Sequence, residues 1–402
     1  MSVDAASAQG GPGGCTPPVR TLTLGLADAH PLGDGTLERA AEVLGTARDV
    51  FVTRGYEVQT VRLSARPLLG DMGAAGEVEV EGYLSWLHDR LGALGVSFLA
   101  LGPLWPLARQ LGRAEHLAAT LAPLRSLSWS VMVAAPGEGV DVPAAEAAGR
   151  VMAQLASADA EGLGNFNFAA VARVRPGTPF FPAAYHDGPG TLGLGLQAAG
   201  VVRAALEGGA PLGEVQRRVA SAVGAAGRPP VELCMRVCEE AGVRFGGIDL
   251  SPAPAGPDSI VAAMEGAGHG SFGGPGTLAL CAAVTAGLRS TGLPTCGYCG
   301  LMLPVMEDSV LARRWEQGLV GIDQLLAFSA VCGTGLDTVP LPGATPAAQL
   351  ARVATDMASL AVRYDKPLSA RLMPFPGARA GERTRFASPY LVDAVTKALP
   401  AP

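Results

Sequence analysis

The chain has 402 residues, 49% hydrophobic and only 16% charged, with a formal net charge of −6. That length can bury a large core. The basic residues are scattered arginines, with Lys366 and Lys397 the only lysines. They form no basic stripe with interleaved aromatics, which argues against nucleic-acid binding.

Residues 1–18, rich in Gly, Pro, Ser and Ala, read as a disordered tail. The opening "MSVDAASAQGGPGGC" lacks the basic and apolar regions of a secretory signal. No apolar run long enough to span a bilayer is free of charges or Gly/Pro breaks. The expectation is a soluble cytoplasmic protein without a membrane partner. Seven cysteines, an odd number, argue against a disulfide framework.

From residue 19 short apolar runs alternate with longer amphipathic ones. "VRTLTLGLA" (19–27) reads as a strand, "TLERAAEVLGTARDVFVTRG" (36–55) as a helix stopped by Gly55, and "YEVQTVRLSA" (56–65) as the next strand. A helix over 81–95 leads to the strand "VSFLALG" (96–102). Segments 128–135, 166–174, 191–206 and 245–251, a helix after 274–284 and the stretch 300–307 continue the pattern. Strand–helix alternation with short loops predicts an α/β fold on parallel strands, with residues 19–399 as one domain.

In such folds ligands sit beyond the carboxyl ends of strands, so polar residues just after apolar runs are the candidates. "FFPAAYHDG" (180–188) carries His186, a general acid or base near neutral pH, with Asp187 to set its tautomer and Tyr185 beside it. A histidine that caps a loop is the competing reading. His30, after the first strand, has the same placement, whereas His88 and His116 fall in helices. Asp249 sits inside the apolar run "GIDL" and is followed by Ser251. Asp258 and Ser259 can bind a divalent cation or a substrate, or can cap the helix that follows. "GGPGT", with Gly274, Gly276 and Thr277, can cradle an anion on backbone N–H groups or be a tight turn. Glu307 and Asp308 close "PVMED".

Gly188, Gly190 and Gly193 match the dinucleotide spacing but open no helix after a first strand, so NAD is not expected. Cys296 and Cys299 form a CxxC without a second pair, which disfavours zinc and leaves Cys299 as a weaker nucleophile candidate. Cys234 and Cys238, four apart on a helix, read as buried packing.

Several stretches in order resemble the bacterial and archaeal proteins with domain of unknown function 711, also called UPF0210 and often labelled the pyruvate-formate-lyase family. They are "TLTLGLADAHPL" (21–32), "NFNFAAVARVRPGTPFFPAAYHDG" (165–188), "GGIDLSPAP" (246–254), "DSI" (258–260), "GGPGT" (273–277), "GYCGLMLPVMED" (297–308), "SAVCGTGLDTVPLP" (329–342) and "ARLMPFPGARAGE" (370–382). The match runs from about residue 19 to 385. It implies a large pyruvate-formate-lyase-like α/β barrel with a cleft at one end, adds Asn165 and Asn167 to the candidate binding residues, and hints at amino-acid or keto-acid metabolism. The sequence departs from the family pattern at Asn167, where an arginine is usual, at Cys299 for serine, at Met306 for a small residue, and in a C-terminal segment without the double glycine. No glycyl-radical loop appears near residues 380–402, so no radical chemistry is expected.

The combined expectation is an enzyme, homodimeric by base rate, acting on a small polar carboxylate by acid/base chemistry as a lyase, isomerase or hydrolase. A non-catalytic amino-acid-binding regulatory protein is the alternative, and a thiol-redox protein is the third.

Overall fold

A computed structural model describes residues 16–256 and 258–400. Most of the expected N-terminal tail therefore lies outside the described residues. The strands are β1 (Val19–Gly25), β2 (Val58–Ser64), β3 (Phe98–Leu104), β4 (Leu127–Ala134), β5 (Phe168–Ala172), β6 (Thr191–Leu196), β7 (Arg244–Asp249), β8 (Gly335–Pro342) and β9 (Leu368–Phe375). They form one nine-stranded sheet in the order β7-β6-β1-β2-β3-β4-β5-β9-β8.

β1 to β5 run parallel to one another. β6 pairs antiparallel with β1, and β9 antiparallel with β5. Each then has a parallel neighbour, β7 and β8. The α/β class and the mainly parallel sheet are as the sequence predicted. The reversal of the four flanking strands was not foreseen. Residues 294–305 bridge both outer strands, pairing Thr295 with Ile248 of β7 and Pro304 with Asp337 of β8.

Alternation along the strands separates two apolar layers. In β4 and β5, Val131, Val133, Ala170 and Ala172 belong to the main core under the helices. Met132, Ala169 and Val171 point the other way, into a smaller cluster with Phe180, Tyr185, Tyr298 and Met302. The sheet is therefore covered on one face by helices and on the other by the 180–185 and 298–302 segments.

Helices form where apolar residues recur at helical spacing. Asp34–Thr53 buries Leu37, Ala40, Leu44, Ala47 and Phe51. The long helix Leu212–Ala241 buries Val215, Val219, Val223, Cys234 and Cys238 despite its internal Pro229 and Pro230. Each buried Leu, Val or Phe among them contributes about 1.5–3 kcal/mol by leaving water. Among the described residues no helix is long and apolar enough to cross a membrane.

Candidate functional site

A cavity of about 190 Å³ opens at the amino ends of β1–β5. Arg20 stands at the start of β1, Thr60 and Arg62 in β2, Phe98 at the start of β3, Ser128 in β4, and Asn167 just before β5. From the reversed strands come Gln197 after β6, Pro254–Gly256 after β7, and Arg371 of β9. Because β6 and β7 run opposite to β1–β5, their carboxyl ends share this rim. Phe166, Phe181, Pro182 and the C-terminal segment 389–392 supply apolar wall.

Arg371 anchors the charged wall. Its Nε donates to Asp337 Oδ1 at 2.6 Å, one terminal nitrogen to Glu307 Oε1 at 2.5 Å, and the other to the Phe166 carbonyl at 3.4 Å. All three side chains are buried. Burial alone would pull the Arg371 pKa down, but Asp337 and Glu307 more than offset it and raise it. Burial pushes Glu307 above the ordinary carboxylate range, nearby Asp337 adds to the push, and Arg371 and Arg20 only partly oppose it. Arg20 lies 3.9 Å from the second oxygen of Glu307.

Arg62 is placed differently. Its guanidinium lies over Phe98 at 5.5 Å and over Phe181 at 5.0 Å, and its Nε donates to Thr60 Oγ1 at 2.9 Å. Burial and then repulsion from Arg20 lower its pKa to about 9, so it stays charged at neutral pH. Among the described residues no carboxylate lies within ion-pair distance of it. The hydroxyl of Ser128 on the same wall is buried without a partner.

A smaller pocket adjoins on the Arg20 side and is lined by Asp249 and Ser251. Asp249 Oδ1 accepts the Ser251 N–H at 2.8 Å and Oδ2 the Tyr298 N–H at 3.2 Å. Burial raises its pKa, and these bonds and Arg20 only partly oppose the rise. The second bond depends on Gly297, at φ 68°, where a Cβ would stand 2.3 Å from Asp249 Oδ2.

Of the sequence candidates, Glu307 and Asn167 line the main cavity, and Asp249 and Ser251 the smaller one. His186 and His30 are at the other end of the sheet. The His186 N–H donates to the Ala65 carbonyl just after β2, and its Nε2 contacts the Pro189 carbonyl at 2.9 Å. Its ring packs on Gly25, the last residue of β1, where a Cβ would meet Nδ1 at 2.3 Å. Asp187 is exposed and 3.4 Å from Arg66. His30 is buried, with Nδ1 2.7 Å from the Tyr83 hydroxyl and Nε2 3.1 Å from the Arg66 carbonyl. Burial lowers its pKa to about 4. His186 therefore does not meet Asp249 or Glu307 around one hollow.

Other candidates serve the scaffold where they stand. Asp308 caps the helix Ser309–Glu316, accepting from the Val310 and Leu311 N–H groups, the Ser259 hydroxyl and the Val261 N–H. Ser259 caps the helix Ile260–Glu265, the capping alternative weighed for it. Asp258 pairs with Arg203 at 3.2 Å. The Tyr185 hydroxyl donates to the Val174 carbonyl, and Asn165 Nδ2 to the Met152 carbonyl. Gly274, Gly276 and Thr277 form the turn entering the helix Thr277–Arg289, where Thr277 Oγ1 accepts the Gly273 N–H at 3.1 Å. Burial raises the Cys299 thiol to about 12, which keeps it protonated at neutral pH. Among the described residues no three His, Cys, Asp or Glu side chains cluster as a metal would require.

Arg20, Arg62, Arg371 and Asp337 were missed. Their signal was present: each is a charge inside an apolar strand run, the reasoning already applied to Asp249.

The family model described as "Uncharacterised ACR (DUF711)" matches residues 17–388. The chain belongs to this family. A UPF0210 protein of Pyrobaculum arsenaticum is 32% identical over 86% of the chain and 80% of its own length. One from Pyrobaculum islandicum is 33% identical over the same shares. A UPF0210 protein of Listeria monocytogenes is 26% identical over 92% of the chain and 88% of its length. The resemblance read from the motifs is thereby established, with bacterial and archaeal relatives alike. Of the departures from the DUF711 pattern, Asn167 stands on the cavity wall, with Nδ2 donating to the Arg125 carbonyl at 2.9 Å. Met306 and Cys299 are buried.

Proposed function

We propose that this DUF711 protein is an enzyme that binds a small carboxylate in the cavity at the amino ends of β1–β5 and transfers a proton on it. The carrying observation is Arg62, a cation at the cavity wall that packs on the rings of Phe98 and Phe181 and has no carboxylate partner among the described residues. Its Nε is held by Thr60, and its two terminal nitrogens, without a hydrogen-bond partner among the described residues, suit a bidentate carboxylate. Arg20 adds a second positive charge. Glu307 is the proton carrier, its pKa raised toward the working range by burial. Taking a proton from the atom next to the bound carboxylate leaves an electron pair that Arg20 and Arg62 stabilise. Arg371, fixed by Asp337, positions Glu307. The acid/base role thus passes from His186 to Glu307, and the reaction class stays lyase, isomerase or hydrolase.

We also read the sheet as closed into a pyruvate-formate-lyase-like barrel. Support comes from residues 294–305, which hydrogen-bond to β7 through Ile248 and to β8 through Asp337. The cavity would then be one mouth of that barrel.

Thermal shift with amino, keto and simple carboxylic acids tests binding, and α-proton exchange in D2O followed by NMR tests chemistry. Carboxylates should stabilise the wild type but not Arg62→Met. Glu307→Gln should bind yet exchange at least a hundredfold more slowly. Binding that ignores Arg62→Met would reject the site. Arg62-dependent binding with no exchange of any ligand would favour the regulatory binder, a reading supported by the arginines already engaging both Glu307 oxygens.

A further inference from the structure

Resting on the carboxylate reading above, we infer that the ligand is a monocarboxylate with a flat apolar body, about one aromatic ring in size. The first support is charge. Arg20 and Arg371 pair with Glu307 and Asp337, whereas Arg62 has no ion-pair partner among the described residues. One carboxylate neutralises it. A second would have to be buried without a cation, at high desolvation cost.

The second support is the wall. Phe98, Phe166, Phe181 and Tyr390 line the same cavity with Pro182, Pro254, Pro389, Leu391 and Val392. Phe166 and Tyr390 lie nearly parallel, at 11° and 6.3 Å. The Arg371 guanidinium covers Phe166 at 4.7 Å, so the charged wall runs directly into the aromatic one. A simple keto acid or dicarboxylate would leave this surface against water, whereas a ring covers it.

The third support is size. A cavity of about 150 Å³ takes up benzene, and this one measures about 190 Å³. The excess suits a carboxylate beside the ring.

Calorimetric titration of the full chain with phenylacetate, phenylacetamide, acetate, pyruvate and succinate tests the inference. Phenylacetate should bind about tenfold or more tighter than acetate, pyruvate or succinate, from the buried ring. Phenylacetamide, which keeps the shape and loses the charge, should lose about tenfold or more relative to phenylacetate. Tyr390→Ala, at a half-exposed residue of the aromatic wall, should weaken phenylacetate several-fold more than acetate. Arg62-dependent binding in which acetate, pyruvate or succinate equals or exceeds phenylacetate would overturn the aromatic inference and leave the carboxylate site standing. Failure of every carboxylate, or phenylacetamide binding as tightly as phenylacetate, would remove both.

Discussion

His30 gives the sharpest quantitative test of how this fold holds an ionisable group. The Arg66 carbonyl can only accept, so Nε2 carries the proton, and Nδ1 accepts from the Tyr83 hydroxyl. Tyr83 in turn accepts the Leu32 N–H at 2.9 Å. Every polar atom is matched with the ring neutral. Protonation would set Nδ1–H against a hydroxyl already accepting from Leu32 and bury a charge, although Asp71 gives some compensation. The pKa falls from 6.5 to about 4. At about 1.4 kcal/mol per tenfold in acidity, this is worth about 3 kcal/mol.

Between pH 4 and 6.5 the unfolded chain binds a proton that the folded chain refuses. Stability from this group is therefore full above pH 6.5 and is lost as pH falls toward 4. His30→Gln, which cannot titrate, should cost about 1–3 kcal/mol at pH 7 through lost hydrogen bonds. Urea unfolding followed by circular dichroism from pH 4 to 7.5 measures both proteins. Wild-type stability relative to the variant should fall by about 3 kcal/mol between pH 7.5 and 4, which cancels or reverses its advantage. A gap that stays constant with pH would refute the burial argument and reopen His30 as a solvent-connected functional group.

Asp308→Ala should destabilise by about 3 kcal/mol, because it strips an acceptor from two helix ends and from Ser259, and Asp308→Asn should cost less; denaturant midpoints decide. Gly25→Ala drives a methyl into the His186 ring and should cost about 2 kcal/mol or more, seen as a lower melting temperature, whereas Gly45→Ala, with open space around it inside the helix Asp34–Thr53, should be neutral or stabilise by up to about 1 kcal/mol. Cys299 should resist iodoacetamide at pH 7.5 under native conditions and react after urea unfolding, because burial holds its thiol protonated; rapid native labelling would revive the thiol-redox reading.

The alternation of short apolar strands and amphipathic helices was legible from residue 19 onward, because strand and helix periods are local properties of the chain. So was the family, since its motifs are contiguous. "VRTLTLG" had to be a strand and "TLERAAEVLGTARDVFVTRG" a helix, whatever they packed against. The capping alternative for Ser259 was equally local, since a hydroxyl before "IVAAME" reaches the helix's own N–H groups.

The position of the site was not local. A rule for parallel sheets sent attention to the carboxyl ends of the early strands, where His30 and His186 stand. Only the pairing of β6 with β1 and of β9 with β5 reverses the flanking strands and brings Gln197, the residues after β7 and Arg371 to the amino ends instead. The same pairing unites Arg371, Glu307 and Asp337, far apart in sequence, into one buried charge network. The sequence shows which residues carry charge inside apolar strands. Which of those charges face each other, and which one is left facing a cavity, depends on strand order and direction, and these follow from packing across the whole sheet.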